Sequence, residues 1–262
     1  MTRLFTYLAL LLPVLLSAQE KSYSAPELIA SMKAARPSGG LYARLRLEHQ
    51  APGAKPVILQ VQLKRRTVQG GGSEALYQVL FPKERKGESL LLRVNGETFS
   101  GITYTPVQPK RALKPAERAS GIFGTALTLD DAIAGFLQWE NHQITGREKV
   151  GNAQCTIVES KPAGGTSGAG VNRVRSWIDE ARLTAMRVEL FSGGDQPIRS
   201  VMTHKALKGK SGYYAPVSLT VTDHKSGAST KVEGVRADSD LVFTDADFSE
   251  AALESLTVPP SP

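Results

Sequence analysis

Apolar and polar residues alternate with a period of two along the first third of the chain. The alternation is clearest over residues 41–48, 57–64 and 77–81. Successive side chains of a strand point to opposite faces of a sheet, so each run predicts a strand with one buried face. Pro52-Gly53 lies between the first two runs and has the composition of a turn, which separates two strands there.

The same period returns between Asn141 and Phe243. Turn residues recur there about every 8–12 residues, which is typical of antiparallel sandwiches and barrels. Asn95-Gly96 is a strong hairpin signal between two further runs. We therefore predict a mainly β, single-domain protein of about ten or eleven strands. The three leucines at 90–92 are apolar on both faces, which predicts that both sides of their strand are covered.

Two short helices are predicted beside the strands. Ser24–Glu27 has the pattern of a capping box with proline in the first turn, which indicates a helix over residues 25–35. Thr128–Asp131 has a similar capping pattern ahead of further apolar residues. The pair Asp130-Asp131 could be two catalytic carboxylates, but its place in a first helical turn favours capping.

Residues 105–139 interrupt the strand pattern. Prolines such as Pro109 oppose a regular strand, and Gly121–Gly124 is an apolar loop. Segments of this length between strands are usually functional. We expect this one to form an apolar lid over the interior of the sheet.

The first 18 residues have the features of a secretory signal peptide. A basic start is followed by the apolar stretch Leu4–Leu16 and by the cleavage-like residues Ser17-Ala18. The alternative is that these 18 residues are not cleaved and form a membrane anchor. We predict a signal peptide over residues 1–18 and one domain over residues 19–262. A secreted chain with a single cysteine fits the bacterial periplasm.

The net charge of +7 suggests attraction to anionic partners, such as a membrane surface or a lipid headgroup. The basic residues alternate with apolar residues along strands, so solvated strand faces are the simpler interpretation. Aromatic residues make up only 6% of the chain, which argues against a surface that stacks nucleic acid bases.

Residues that carry chemistry are scarce. The chain has one cysteine, Cys155, and its four histidines lie far apart, which predicts no metal site and no cofactor. Gly165–Ala169 lacks the final glycine of a nucleophile elbow. We therefore predict a protein that is not an enzyme. The apolar interior either encloses a ligand or packs as a solid core, and periodicity alone leaves both open.

The chain resembles the LolA-like family of periplasmic outer membrane lipoprotein-sorting proteins over about residues 40–255. The resemblance depends on the order and spacing of individually loose motifs. They are Phe81-Pro82, Lys86–Leu91, Asn95–Thr98, Tyr104–Pro106 with Lys110-Arg111, Gly121–Leu127 with Asp130-Asp131, Trp177–Asp179, and Phe243, Phe248 and Leu253.

This resemblance implies an incomplete antiparallel β-barrel whose hydrophobic cavity is closed by a short helical lid, here about residues 115–139. It implies a carrier that takes acyl chains of lipoproteins or related lipids from an inner-membrane donor complex to an outer-membrane acceptor. Its membrane contact would be transient, and we expect a monomer. The lid residues Ala126–Thr128 depart from the family's usual acidic and aromatic run, so the cargo could differ from a triacylated lipoprotein.

The resemblance and the strand pattern together nominate site residues. The predicted cavity lining is Leu45, Leu47, Leu59, Val61, Tyr77, Val79, Leu90 and Leu92. The predicted lid residues are Ile122, Phe123, Ile133, Phe136 and Leu137. In the family an arginine on the early sheet latches the lid, and Arg65 is the candidate here.

Two other classes of function remain open at this point. A lipid-sensing scaffold would use the same cavity to signal to a protein partner. A hydrolase whose catalytic residues meet only in the folded chain would escape a motif search, because catalytic triads form in space.

Overall fold

The computed structural model describes residues 23–69, 72–96, 98–167, 169–210 and 212–258. The predicted signal peptide, residues 1–18, lies outside the described residues. Two α-helices are present in the described part of the chain, α1 (Ala25–Ala34) and α2 (Leu129–Ile133). No helix among the described residues is both long enough and apolar enough to cross a membrane.

The described strands form one sheet. The first half of the chain contributes β1 (Gly40–Gln50), β2 (Val57–Thr67), β3 (Ser73–Phe81), β4 (Ser89–Asn95), β5 (Thr98–Thr105) and β6 (Gln108–Ala112). The second half contributes β7 (Asn141–Val150), β8 (Ala153–Lys161), β9 (Arg173–Asp179), β10 (Thr184–Phe191), β11 (Arg199–Lys208), β12 (Tyr214–Asp223) and β13 (Ser229–Leu241).

The sheet is antiparallel throughout and open. Its order is β6-β5-β4-β3-β2-β1-β13-β12-β11-β10-β9-β8-β7, with β6 and β7 at the two edges. The predicted mainly β fold, an incomplete antiparallel barrel with short helices, is confirmed. The sheet has 13 strands instead of ten or eleven. One unexpected strand is β6, which contains Pro109; an edge strand tolerates proline because one side of it needs no ladder hydrogen bonds.

One face of the sheet, here called the inner face, carries α1 and the lid. On β1 and β2 it presents alternate apolar residues, with Leu47 opposite Leu59 and Leu45 opposite Val61. It continues across the β1–β13 pairing, where Val232 lies opposite Leu47. The alternation seen in the sequence therefore forms a continuous apolar surface along the sheet.

The opposite, outer face of β1–β4 is covered by the segment of residues 243–257. Leu76 and Leu91 pack there against Phe248 and Leu253, and all four are at most 1% exposed. Leu90 and Leu92 point to the inner face instead. The prediction that both sides of this strand are covered is confirmed.

Helix α1 covers part of the inner face in the second half of the sheet. The Glu27 carboxylate accepts a hydrogen bond from the backbone N–H of Ser24 at 2.8 Å, which completes the predicted capping box. Leu28, Ile29 and Met32 form the buried side of the helix and share a cluster with Val158 and Ile178 of the sheet.

Candidate functional site

The lid connects the two edge strands and crosses the inner face between them. It leaves β6 at Ala112 and enters β7 at Asn141. Over β1–β4 it buries Ile122 and Leu129, which are 1% and 3% exposed. The segment that interrupts the strand pattern is therefore a cover over the sheet.

The residues predicted to line a cavity instead form a packed contact with this part of the lid. One apolar cluster contains the buried Leu47, Leu59, Val61, Tyr77, Val79, Leu90 and Leu92, with Leu45 partly buried. Ile122, Phe123 and Ile133 of the lid join the same cluster. Phe136 and Leu137 lie farther along the lid, in the cluster of α1.

A cavity of about 160 Å³ lies between α1, the lid and the inner face of β9–β12. Its sheet side is formed mainly by aliphatic residues, Val174, Val188, Leu190, Val201 and Leu219. Met32 of α1 and Phe136, Leu137 and Trp139 of the lid segment close the other side. Of the residues nominated from the sequence, Phe136 and Leu137 line this cavity.

The sequence contains a signal for the strands that form the cavity. Val174 and Ile178 on β9, and Val188 and Leu190 on β10, show the same alternation as β1 and β2. The family resemblance instead places the predicted cavity lining on the early strands. The lid packs against the early strands β1–β4 and leaves a cavity over the later strands β9–β12.

Arginines outside the lid bind groups of the lid. Arg199 of β11 donates a hydrogen bond to the backbone oxygen of Ala126 at 3.1 Å and pairs with the Asp131 carboxylate at 3.0 Å. The side chains of Arg199 and Asp131 are 14% and 3% exposed, so the pair is largely shielded from water. Arg85 donates to the backbone oxygen of Phe123 at 3.1 Å.

Arg65, the predicted latch, occupies a different place. It lies at the end of β2 opposite Leu41 and lines a separate pocket near Tyr213. In the described part of the chain, the arginines outside the lid that bind lid groups include Arg199 of β11, Arg111 of β6 and Arg85 in the turn between β3 and β4. The latch function of Arg65 stays a prediction, and Arg199 of β11 is the sheet arginine that contacts α2.

The Asp131 carboxylate makes two kinds of interaction, one within the lid and one with the sheet. It accepts a hydrogen bond from the Thr128 backbone N–H at 2.9 Å, as predicted for a capping residue, and it pairs with Arg199. Burial raises the pKa of Asp131, and the Arg199 charge and the capping hydrogen bonds lower it in part. The neighbouring Asp130 pairs with Arg118 at 2.5 Å, so both carboxylates at the cavity are engaged.

Two lid residues adopt left-handed backbone conformations that side chains disfavour. Phe123 has φ of 51° and Ala134 has φ of 47°. Ala134 ends α2, so the predicted helix is broken there and continues as a short 3₁₀ turn over Gly135–Gln138. Each such residue costs about 1–2 kcal/mol, which other lid contacts must offset.

Groups with nucleophilic or metal-binding chemistry have structural roles here. Cys155 is fully buried beside Trp177, and burial raises the pKa of its thiol to about 11. His142, His204 and His224 contact serine or threonine hydroxyls on neighbouring strands. Within the described ranges, no three His, Cys, Asp or Glu side chains are grouped so that they could hold a metal ion.

Solved structures with the same architecture define the class of fold. A DUF1329 family protein from Desulfovibrio piger matches with a TM-score of 0.81 and 17% identity, over 87% of this chain and 97% of that one. A putative outer membrane lipoprotein-sorting protein domain from Vibrio parahaemolyticus matches with a TM-score of 0.81 and 16% identity, over 88% and 98%. A LolA superfamily protein from Nitrosomonas europaea matches with a TM-score of 0.68 and 14% identity, over 88% of this chain and 100% of that one.

The chain shares the fold of these three proteins, one of which is a LolA superfamily protein, as the resemblance of the sequence predicted. A family model described as that of an uncharacterized protein matches residues 71–255, and the chain belongs to this family. No curated protein matches the chain.

Proposed function

We propose that this protein is a non-enzymatic carrier that binds acyl chains of lipoproteins or related lipids in the cavity beneath the lid. The observation that carries the proposal is the apolar cavity itself, bounded by aliphatic side chains of β9–β12 and by Phe136 and Leu137 of the lid. Apolar pockets with few polar groups are typical ligand sites. The two carboxylates at its wall are already ion-paired.

The size of the cavity implies that the lid moves when cargo binds. The volume is about 160 Å³. A dry apolar cavity of about 150 Å³ holds one benzene molecule, which has six carbons. An acyl chain of ordinary length is more than twice as large, so it can enter only if the lid is displaced from the sheet.

The free energies support an exchange in which contacts between cargo and protein replace contacts between the lid and the sheet. Transfer of an acyl chain from water gains about 0.8 kcal/mol per CH₂, or about 10 kcal/mol for a dozen methylenes. Displacement of the lid exposes the apolar side chains it buries over β1–β4, among them Ile122 and Leu129. Each such side chain costs about 1.5–3 kcal/mol to expose. Because the two quantities are comparable, cargo can open the lid and lid closure can favour its release.

The cellular setting is part of the proposal. The signal peptide over residues 1–18 would direct the chain to the periplasm, and the net charge of +7 would favour approach to anionic membrane surfaces. A donor in the inner membrane and an acceptor at the outer membrane would complete the route. Cell fractionation with N-terminal sequencing checks this: the mature chain should be periplasmic and begin at Gln19.

The carrier function is tested by binding of a fluorescent fatty acid to the purified mature protein, with native mass spectrometry of protein isolated without detergent. We expect uptake of the fluorescent fatty acid and a co-purified acylated species. Val201→Phe adds a ring within the cavity and should reduce uptake strongly, since Val201 forms part of the wall. Val235→Phe is the matched control, because Val235 is 68% exposed.

Both variants must first give wild-type circular dichroism and thermal unfolding. Unchanged uptake by folded Val201→Phe, or no uptake by the wild type, would contradict the proposal. A stable protein partner recovered together with an empty cavity would favour the scaffold function in its place.

A further inference from the structure

A second pocket, of about 450 Å³, adjoins one end of the apolar cavity. Its wall is formed by the end of β2, the β11–β12 hairpin and β13, and includes Arg65, Lys208 and Lys210. This pocket has a cationic wall, whereas the cavity under the lid is aliphatic. We refer to it as the basic pocket.

The cations of the basic pocket have no carboxylate of their own. Among the described residues, Arg65, Lys208 and Lys210 take part in no ion pair within 4.0 Å. The acidic residue that lines the pocket, Asp238, is bound by Arg236 at 2.8 Å. The positive charge of this wall is therefore available to a ligand.

Arg36 adds a further cation where the basic pocket meets the apolar cavity. It follows α1, lines the apolar cavity, and interacts with Tyr213 and Arg65. Burial lowers the pKa of Arg36; the Tyr213 hydroxyl raises it and the Arg65 charge lowers it further. Two guanidinium groups that repel each other at a partly buried position favour the binding of an anion nearby.

The two pockets are adjacent. Tyr213 and Pro216 line both of them. One molecule could therefore place an acyl chain among Val188, Leu190 and Val201 and an anionic group beside Arg36 and Arg65. Such a ligand matches the polarity of both pockets at once.

We infer that the basic pocket binds the phosphate or carboxylate headgroup of an anionic amphiphile whose chain occupies the apolar cavity. The inference rests on the proposed carrier function and narrows its cargo to anionic lipids. It assigns Arg65, Lys208 and Lys210 as headgroup ligands in the basic pocket, with Arg36 reaching the headgroup from the adjoining apolar cavity.

The test compares two ligands with the same chain, dodecyl phosphate and dodecyl maltoside, by titration calorimetry on the mature protein below their micelle concentrations. We expect the wild type to bind dodecyl phosphate at least about tenfold more tightly, as a charge-assisted hydrogen bond implies. R36Q/R65Q should remove this preference, so that its affinities for the two ligands lie within about twofold of each other. The matched control is K55Q/K149Q, which removes two charges outside both pockets and should keep the preference.

Each result has a distinct meaning. Equal affinities for the two ligands in the wild type, or an unchanged preference in R36Q/R65Q, overturn the headgroup site while the carrier function stands. Failure of both ligands to bind overturns the carrier function. Inorganic phosphate should compete weakly with dodecyl phosphate; if it binds as tightly as dodecyl phosphate, the pocket is a free-phosphate site and the inference is wrong.

Discussion

The ion pair between Arg199 and Asp131 gives the sharpest prediction about the lid. Arg199→Met keeps the length of the side chain and removes its charge. Asp131 is then left with 3% of its side chain exposed and without its cation, and Ala126 loses a hydrogen bond to its backbone oxygen. Removal of one partner from a buried pair costs about 3–5 kcal/mol.

At the lower limit of about 3 kcal/mol, the equilibrium between closed and open lid shifts by about 100-fold. Hydrogen exchange should detect this as about 100-fold lower protection of lid amides such as Leu129 and Ala132, with the sheet amides of β1–β3 unchanged. The affinity for an acyl chain should rise, because less free energy is needed to displace the lid.

The control is Arg46→Gln, which removes ion pairs with Glu48 and Glu233 on the outer face. Its side chain is 33% exposed, so the expected cost is at most about 1 kcal/mol and the lid amides should stay protected. The double variant R199M/D131N should recover most of the lost protection. Unchanged lid protection in Arg199→Met, or weaker acyl binding, would refute this role of the ion pair.

The pair between Arg199 and Asp131 also predicts how the stability of Arg199→Met depends on pH. Burial raises the pKa of Asp131 and Arg199 lowers it in part, so Arg199→Met should raise this pKa further in the folded protein. A carboxyl group whose folded pKa exceeds its unfolded value of about 3.9 destabilises the fold above the folded pKa. The penalty disappears as the pH falls below the unfolded value. The variant's deficit in stability should therefore shrink on acidification, which NMR titration of the Asp131 carboxyl and thermal unfolding can check.

Three further predictions concern backbone strain, the thiol and the C-terminal segment. Ala134→Gly should stabilise the closed lid by about 0.5–1 kcal/mol, since glycine accepts the positive φ at this position. Gly124→Ala should destabilise the closed lid by about 1 kcal/mol, because Gly124 has φ of 73°. Hydrogen exchange of the lid amides measures both effects. Cys155, with a pKa of about 11, should resist iodoacetamide at about pH 8 in the folded protein and react in urea; fast labelling of the native protein would contradict its burial. Leu253→Ala should lower the free energy of unfolding by about 2–5 kcal/mol in urea titrations, and a cost under about 1 kcal/mol would mean that residues 243–257 are not part of the core.

The sequence predicted what depends on local periodicity. The alternation in β1–β3 predicted the strands and their buried faces, and the spacing of turns between Asn141 and Phe243 predicted the antiparallel arrangement. The irregular composition of residues 105–139 predicted the lid. The edge strand β6 was missed because Pro109 argues against a strand unless the edge position is known. The division of the three leucines at 90–92 between two faces also follows from the strand period.

Features that depend on contacts far apart in the chain could not be predicted. Lys64 and Gln78 have the positions of solvent-facing residues in an alternating strand, yet they are 2% and 0% exposed. Residues 243–257 cover them: Lys64 bonds Asp247 at 3.1 Å, and Gln78 donates to the backbone oxygen of Ala252 at 3.1 Å. Nothing local in β2 or β3 shows that a segment more than 150 residues later returns to this face.

The lid covers the sheet, and because it is attached to both edge strands it is also a strap of fixed length. A flap hinged at one end could swing clear of the sheet, whereas residues 113–140 remain tied to β6 on one side and to β7 on the other. Cargo can raise the strap only by drawing on slack within it or by bringing the two sheet edges closer together. In the proposed carrier, the curvature of the whole sheet would therefore be coupled to the space beneath the strap. A contact that flattens the sheet from outside would then tighten the strap and favour release of the cargo.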